Sequence, residues 1–304
     1  MIDFQGASRW YGQVIGLNDV SCHIDKGVTA LIGPNGAGKS TFIKLVSGQL
    51  RPTTGSVTVL GQSPFANQEV FRRLGICPEV DSFYEEMTGQ EFVTFLATLG
   101  GLTGAQRTSR VSEVIQFVGM QANAGRRIGG YSKGMRQRIK LAQALVHDPD
   151  VLLLDEPLNG LDPVGRREVT DLVKSLGEAG KCVVISSHIL YEIEHMTRRI
   201  LLINRGRLLA QGDLYEIRGL IDRHPHRISL ESDQPRRLAA KLMELDGVVS
   251  SRLEPISGAV EIETRDPDGF YRRLPEIVAA GPFDIRSFAS PDNNLEAVFR
   301  YLTE

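Results

Sequence analysis

The chain has 304 residues, more than a single domain ordinarily needs, so two domains are expected. Its 35 basic and 37 acidic residues give a net charge of −2, which leaves no general electrostatic footprint for nucleic acid. Hydrophobic residues at 41% and charged residues at 24% suit a globular protein with a full core. The three cysteines, Cys22, Cys77 and Cys182, are far apart and show no CxxC spacing, which excludes a disulfide or zinc framework. The start, Met1-Ile2-Asp3-Phe4, has no signal pattern. The longest apolar runs, at 151–154 and 200–203, fall far short of the ~18–20 residues that span a bilayer. The expectation is a cytoplasmic chain that reaches a membrane only through something else.

In chain order, strands are expected at 3–10, 16–25 and 27–32, the last apolar throughout from Val28 to Ile32, as a strand buried on both faces should be. Gly33 breaks that strand, and 39–49 has helical spacing. A strand, a glycine loop and a helix together open an α/β nucleotide fold. Residues 87–119 turn helical, with Phe92, Phe95, Leu96 and Leu99 on one face. A helix at 133–147 carries Met135, Ile139, Ala142 and Val146 on one stripe and stops at Asp148-Pro149. A strand at 151–154, a helix at 163–177 and a strand at 182–186 follow, then a hairpin of 200–203 and 207–211 turned by Asn204-Arg205-Gly206. After about 218 the composition changes, and His224-Pro225-His226 marks a linker, taken as 219–226. Beyond it come a strand at 227–231, a helix at 235–245, strands at 248–254 and 259–264, a helix at 270–280, a strand at 283–289 and a closing helix at 295–302. This βαββαβ order predicts a small ferredoxin-like α+β domain over 227–304. No internal repeat or low-complexity tract is present.

Two local patterns carry chemistry. Gly33-Pro34-Asn35-Gly36-Ala37-Gly38-Lys39-Ser40-Thr41 matches G-x-x-x-x-G-K-[ST]. Its glycines let backbone N–H groups and a helix N-terminus cradle phosphate oxygens, Lys39 reaches the outer phosphates, and the Ser40 hydroxyl meets Mg²⁺. Val151-Leu-Leu-Leu-Asp155-Glu156-Pro157 is an apolar strand ending in two carboxylates. Acidic turns after strands are common, but with a phosphate loop upstream Asp155 is placed to hold Mg²⁺ through water, and Glu156 to take a proton from an attacking water.

Tyr131-Ser132-Lys133-Gly134-Met135 stands just before the helix that leads into that strand. With it, residues 1–218 resemble the ATP-binding subunits of ABC transporters, whose signature is Leu-Ser-Gly-Gly-Gln in this place. The resemblance implies an α/β P-loop NTPase with antiparallel β and helical subdomains, the latter at about 87–147. It implies that Ser132 and Gly134 contact the γ-phosphate of ATP held by another subunit, at a helix N-terminus suited to anions. Lys133 and Met135 depart from the pattern. By the same resemblance, Leu158-Asn159-Gly160-Leu161-Asp162 is a D-loop crossing to the partner, with Asp162 at the nucleotide. His188 steadies the attacking water, and Tyr11 stacks on adenine beside a packing residue, Trp10. Glu79, in Ile76-Cys77-Pro78-Glu79, stands where the family usually has a Mg²⁺-ligating glutamine, so metal affinity and repulsion toward the γ-phosphate both rise. Val80, Asp81, Ser82, Phe83 and Tyr84 occupy the segment that receives a membrane partner, although Phe83 and Tyr84 equally suit the start of the helical subdomain's core.

The expected function is therefore an ATP-hydrolysing, energy-coupling subunit. It pairs with a second copy or a homologous subunit around two MgATP and drives a separate membrane permease from the inner face of the membrane. Glu79, the Tyr-Ser-Lys-Gly-Met run and the C-terminal extension through Leu295-Glu296-Ala297-Val298-Phe299 resemble exporters of the second ABC type. Two other classes compete. A soluble ABC ATPase acting on ribosomes or DNA is disfavoured by the single nucleotide domain, the ordinary subdomain between Ser40 and Ser132, and the neutral charge. A kinase or small GTPase would leave the signature, D-loop and histidine without a role.

Overall fold

The all-apolar strand segments lie side by side in one sheet, seen in a computed structural model that describes residues 1–187, 190–219, 225–254 and 258–291. Two compact units divide the chain, Met1–Gly212 and Asp213–Glu304. In the first, a six-stranded sheet runs in spatial order Leu74–Cys77, Val151–Asp155, Cys182–Ser187, Gly27–Ile32, Arg199–Asn204 and Arg207–Asp213. The first five strands are parallel, and every residue of Cys182–Ser187 is buried, which is why that segment is apolar up to its closing serines. Register sets Asp155 opposite Ser186 and Ile32 opposite Ser187, so these strand ends gather on one edge of the sheet. Ligands of open α/β sheets bind outside that carboxyl edge. The hairpin closing the sheet turns through Arg205 (φ 48°) and Gly206 (φ 76°), the left-handed pair that a tight two-residue turn requires.

A second, three-stranded antiparallel sheet has the order Val14–Ile24, Ile2–Tyr11, Thr54–Val59. Helix Lys39–Val46 is buried within the core that joins the two sheets, and Phe42 stacks on Phe4 with ring centroids 4.3 Å apart. The expected helical stretch at 87–119 divides in two, Gly89–Leu99 and Gly104–Phe117, broken where Gly101 adopts φ 90°. Thr88 and Glu91 form a reciprocal capping box at its start. The apolar stripe expected on its face is only partly buried. Phe92 is enclosed, but Phe95 and Leu99 are 38% and 69% exposed, because the neighbouring helices Gly104–Phe117 and Lys133–Leu145 pack on the side of Val93 and Ala97.

In the second unit four antiparallel strands stand in the order Val248–Leu253, Val260–Thr264, His226–Ser232, Ile285–Ala289, with helices Pro235–Leu242 and Pro267–Ala280 between them in sequence. Alternate residues Ile228, Leu230, Val260 and Ile262 are buried against Leu238, Leu242, Phe270 and Leu274. The βαββαβ order read from the sequence is thus the one adopted. Of the stretch expected as linker, 219–226, Gly219 ends the helix Leu214–Gly219 and His226 opens a strand, while 220–224 lie outside the described residues. The helix expected at 295–302 lies outside the described residues. No described helix is long and apolar enough to cross a membrane.

At the start of the first unit, His23 is clasped by two carboxylates: Nδ1 is 2.5 Å from Asp3 Oδ1 and Nε2 is 2.9 Å from Asp25 Oδ1. The hydrogen bond to Asp3, then that to Asp25, holds the imidazole's pKa above its ordinary value. A raised folded-state pKa stabilises the protein fully below the unfolded value near 6.5, and that stabilisation fades as pH rises through the folded value. His23→Ala should therefore lower the urea midpoint of the first unit at pH 6, with a difference from wild type that shrinks as pH rises. A pH-independent difference would contradict this.

Candidate functional site

After Ile32 the chain turns from strand to helix through a loop whose geometry excludes side chains at two points. A Cβ at Gly33 would lie 2.2 Å from the Ile203 carbonyl oxygen. Gly38 adopts φ 113°, and a Cβ there would lie 2.6 Å from the Gly16 carbonyl oxygen. Gly38 is also the N-cap of helix Lys39–Val46, so no side chain caps the first turn. The amides of that turn have no intrahelical acceptor and face outward as an anion cradle. The hairpin turn braces the loop from behind: Gly206 N–H donates to Ala37 O at 2.8 Å, and Asn18 N–H to Gly206 O at 2.7 Å. Lys39 is buried, and its Nζ donates to Gly33 O at 2.7 Å and to Pro34 O at 3.4 Å.

The facing wall is built by the neighbouring strand end. Asp155 ends its strand, and Glu156 follows in the left-handed region at φ 48°, a conformation costly for a residue with a Cβ. Ser186, opposite Asp155 on the adjacent strand, donates from Oγ to Asp155 Oδ1 at 2.5 Å and accepts from Glu156 N–H at 2.9 Å. The Glu156 carboxylate is thereby placed with Oε1 4.0 Å from Lys39 Nζ, both side chains being about nine-tenths buried. A cation and a carboxylate thus meet across the mouth of the phosphate loop.

Together these walls enclose a cleft of about 450 Å³. It gathers Tyr11, Pro34, Asn35, Gly36, Ala37, Gly38, Lys39, Ser40, Thr41, Glu79, Asp155 and Glu156, as the sequence led one to expect. Sequence reading missed Val14, Ile15 and Gly16, which also line it, as does Asn159 of the expected D-loop. Gly33 sits behind the loop and contributes its carbonyl to Lys39. Tyr11 is 41% exposed at the rim, its hydroxyl 3.4 Å from Thr41 Oγ1 and one face of its ring beneath the Arg9 guanidinium at 5.2 Å, so it is not buried as packing. Three expected residues are not brought to this cleft. Asp162 caps helix Pro163–Glu178, its Oδ1 accepting from Gly165 N–H at 3.0 Å. Ser132 caps helix Lys133–Leu145, its Oγ accepting from Met135 N–H at 3.3 Å, and Gly134 lies in that helix's first turn. Lys133, where the signature has glycine, lies over Gly160 so closely that a Cβ there would be 2.0 Å from its ammonium nitrogen. His188 lies outside the described residues.

Glu79, Asp155 and Ser40 offer the hard oxygen donors that suit Mg²⁺ on the phosphate side of the cleft. Among the described residues no cluster of three or more His, Cys, Asp or Glu could hold a metal unaided, in keeping with an ion that takes water and substrate phosphates as its other ligands. The cysteines take no part: burial pushes the thiols of Cys22, Cys77 and Cys182 up to about 12. Tyr11→Ala should weaken adenine-nucleotide binding about tenfold, from the 1–3 kcal/mol that a base gains on an aromatic face, whereas Tyr11→Phe should keep it. Titration with a fluorescent adenine nucleotide decides, and equal affinity in Tyr11→Ala would remove Tyr11 from the site.

Residues 17–159 match the family model described as ABC transporter. The chain is 37% identical over 219 residues to the ABC transporter ATP-binding protein YxlF of Bacillus subtilis, covering 72% of each. It is 31% identical over 304 residues to the daunorubicin/doxorubicin resistance ATP-binding protein DrrA of Streptomyces peucetius, covering 99% of this chain and 92% of that one. The fold matches a solved ATP-binding subunit of an ABC transporter with a TM-score of 0.66 at 29% identity, covering 72% of this chain and 92% of that one. With a phosphate loop, a facing Asp-Glu strand end and these relatives, the chain belongs to the ATP-binding proteins of ABC transporters and is an ABC-type ATPase.

Proposed function

We propose that the chain is the energy-coupling subunit of an exporter, which sandwiches two MgATP with a second copy or a homologous subunit and drives a separate membrane permease. The observation that carries the reading is the meeting of Lys39 and Glu156 across a cleft whose floor is an uncapped helix N-terminus. ATP phosphates bind the first-turn amides, and the Lys39 ammonium exchanges its contact with the Gly33 carbonyl for phosphate oxygens. Tyr11 takes the adenine at the rim. Glu156, fixed by its backbone bond to Ser186, accepts the proton of the attacking water, and His188 orients that water. Ser40, Asp155 and Glu79 would hold Mg²⁺, which would supply neutralisation of the phosphate charge.

Ser132, Gly134 and Asp162 lie away from this cleft in the single chain, which suits residues that complete the site of an opposing subunit. The segment after Glu79 divides its work. Phe83 packs edge-on against Phe92 with centroids 5.2 Å apart, while Val80 and Tyr84 are 72% and 60% exposed and offer the apolar seat for a permease. Such a partner would hold the chain at the inner face of the membrane. Relatives named for drug resistance and for bacitracin transport favour an exporter over a soluble ATPase acting on a macromolecule. The unit from Asp213 onward serves dimerisation or regulation.

Glu156→Gln tests the assignment. It removes the proton acceptor but keeps the shape, so phosphate release should fall by at least about 100-fold. ATP affinity should persist, and light scattering should show a dimer that forms on adding MgATP. Wild-type turnover in this variant would contradict the role given to Glu156.

A further inference from the structure

Lys140 is a buried cation outside the cleft, in the middle of helix Lys133–Leu145. An ammonium group carries three N–H donors, and a buried one is unfavourable unless each finds a partner. All three are used here, and all on one short segment. Nζ donates to Pro78 O at 3.1 Å and Glu79 O at 3.0 Å, and lies 3.0 Å from Asp81 Oδ1. One helical turn earlier, Arg136 reaches Glu85 Oε1 at 2.9 Å and Asp81 Oδ2 at 3.9 Å, with its guanidinium over the Phe83 ring at 5.9 Å. Gln137 Nε2 continues the row, donating to Cys77 Sγ at 3.5 Å. The chain from Cys77 to Glu85 is thus bound along its length to one face of one helix.

The segment so held faces two ways. Glu79 lines the nucleotide cleft while its own carbonyl is gripped by Lys140. Val80 and Tyr84, immediately beyond, face solvent. Two carbonyls and one carboxylate on a single ammonium leave the backbone at Glu79 little freedom to move without moving residue 81 as well. Asp81 matters for this reason: among the described residues it supplies the one formal negative charge that Lys140 meets within hydrogen-bond distance, and it lies between Val80 and Tyr84 in the exposed segment.

We propose that Lys140, with Asp81 as its counter-ion, is a positioning residue that fixes the backbone at Glu79 and carries occupancy of the nucleotide cleft to the exposed segment at 80–84. The inference rests on the reading of Glu79 as a residue facing the bound nucleotide and its metal. Loss of the ammonium would leave the cleft's other contacts, Lys39 and Tyr11, in place, yet uncouple the two sides of the segment.

Hydrogen exchange on the full chain, with and without MgATP, tests the tie. In wild type MgATP should slow exchange of the amides at 79–85. In Lys140→Met, which keeps an unbranched side chain one atom shorter, that nucleotide-dependent slowing should be lost although calorimetry still detects ATP binding. A merely structural role would raise exchange equally in both states and preserve the difference, and that result would overturn the proposal, as would no slowing in wild type. Should Lys140→Met fail to fold, Asp81→Asn at its half-exposed position should reduce the nucleotide-dependent slowing, and an unchanged difference would equally overturn it. Glu79→Ala separates this tie from the reading beneath it. If that variant keeps the slowing while Lys140→Met loses it, the contact of Glu79 with the nucleotide's metal fails and the Lys140 tie stands.

Discussion

A single buried hydroxyl joins the two strands on which the site depends. Ser186 donates to the Asp155 carboxylate and accepts from the Glu156 amide, using both sides of its hydrogen-bonding capacity in a place with no access to water. This is possible because the parallel register sets Asp155 opposite Ser186. The bond fixes the chain where it leaves the sheet, and it stabilises Glu156 in a left-handed conformation that its Cβ otherwise disfavours. The direction of the Glu156 carboxylate, and its approach to Lys39, follow from that backbone geometry.

The other wall obeys a complementary constraint, the exclusion of side chains. Gly33 and Gly38 leave room for the loop to lie against the carbonyls of Ile203 and Gly16, and the hairpin turn at Gly206 closes behind it. An uncapped helix start then meets the ordered carboxylates across a gap that fits phosphates and a hard cation. On the far side, Lys140 does for Glu79 what Ser186 does for Glu156. In both cases a buried polar group on a neighbouring element holds the backbone of a charged residue that lines the cleft.

Features written as short local patterns are legible in the sequence itself. The glycine loop, the apolar strand ending in Asp155-Glu156, and the alternation behind Ile228, Leu230, Val260 and Ile262 each follow from a few adjacent residues. Features made by residues remote in sequence are not. Nothing near Ser186 announces that it will bond Asp155, 31 positions away, and Lys140 meets Glu79 across 61 positions. Lys133 stood out as a departure from the signature, but its fit over Gly160 exists only once the helix is docked. Phe95 and Leu99 shared a stripe with Phe92, yet which part of a stripe is covered depends on where neighbouring helices lie. Strand Thr54–Val59 escaped notice because its apolar alternation is confined to Val57 and Val59, after a glycine at position 55. Asp162 was read as a nucleotide contact, whereas in the single chain its carboxylate caps a helix.

The claim that Ser186 orders the wall bearing Asp155 and Glu156, proposed above to be catalytic, is open to a direct measurement, single-turnover hydrolysis by Ser186→Ala beside its equilibrium affinity for MgATP. A misplacement of about 1 Å in a reacting group can cost about 100-fold in rate. The account predicts a loss of that order in the single-turnover rate, with affinity within about twofold of wild type because the phosphate loop is untouched. A variant that hydrolyses at the wild-type rate would contradict it.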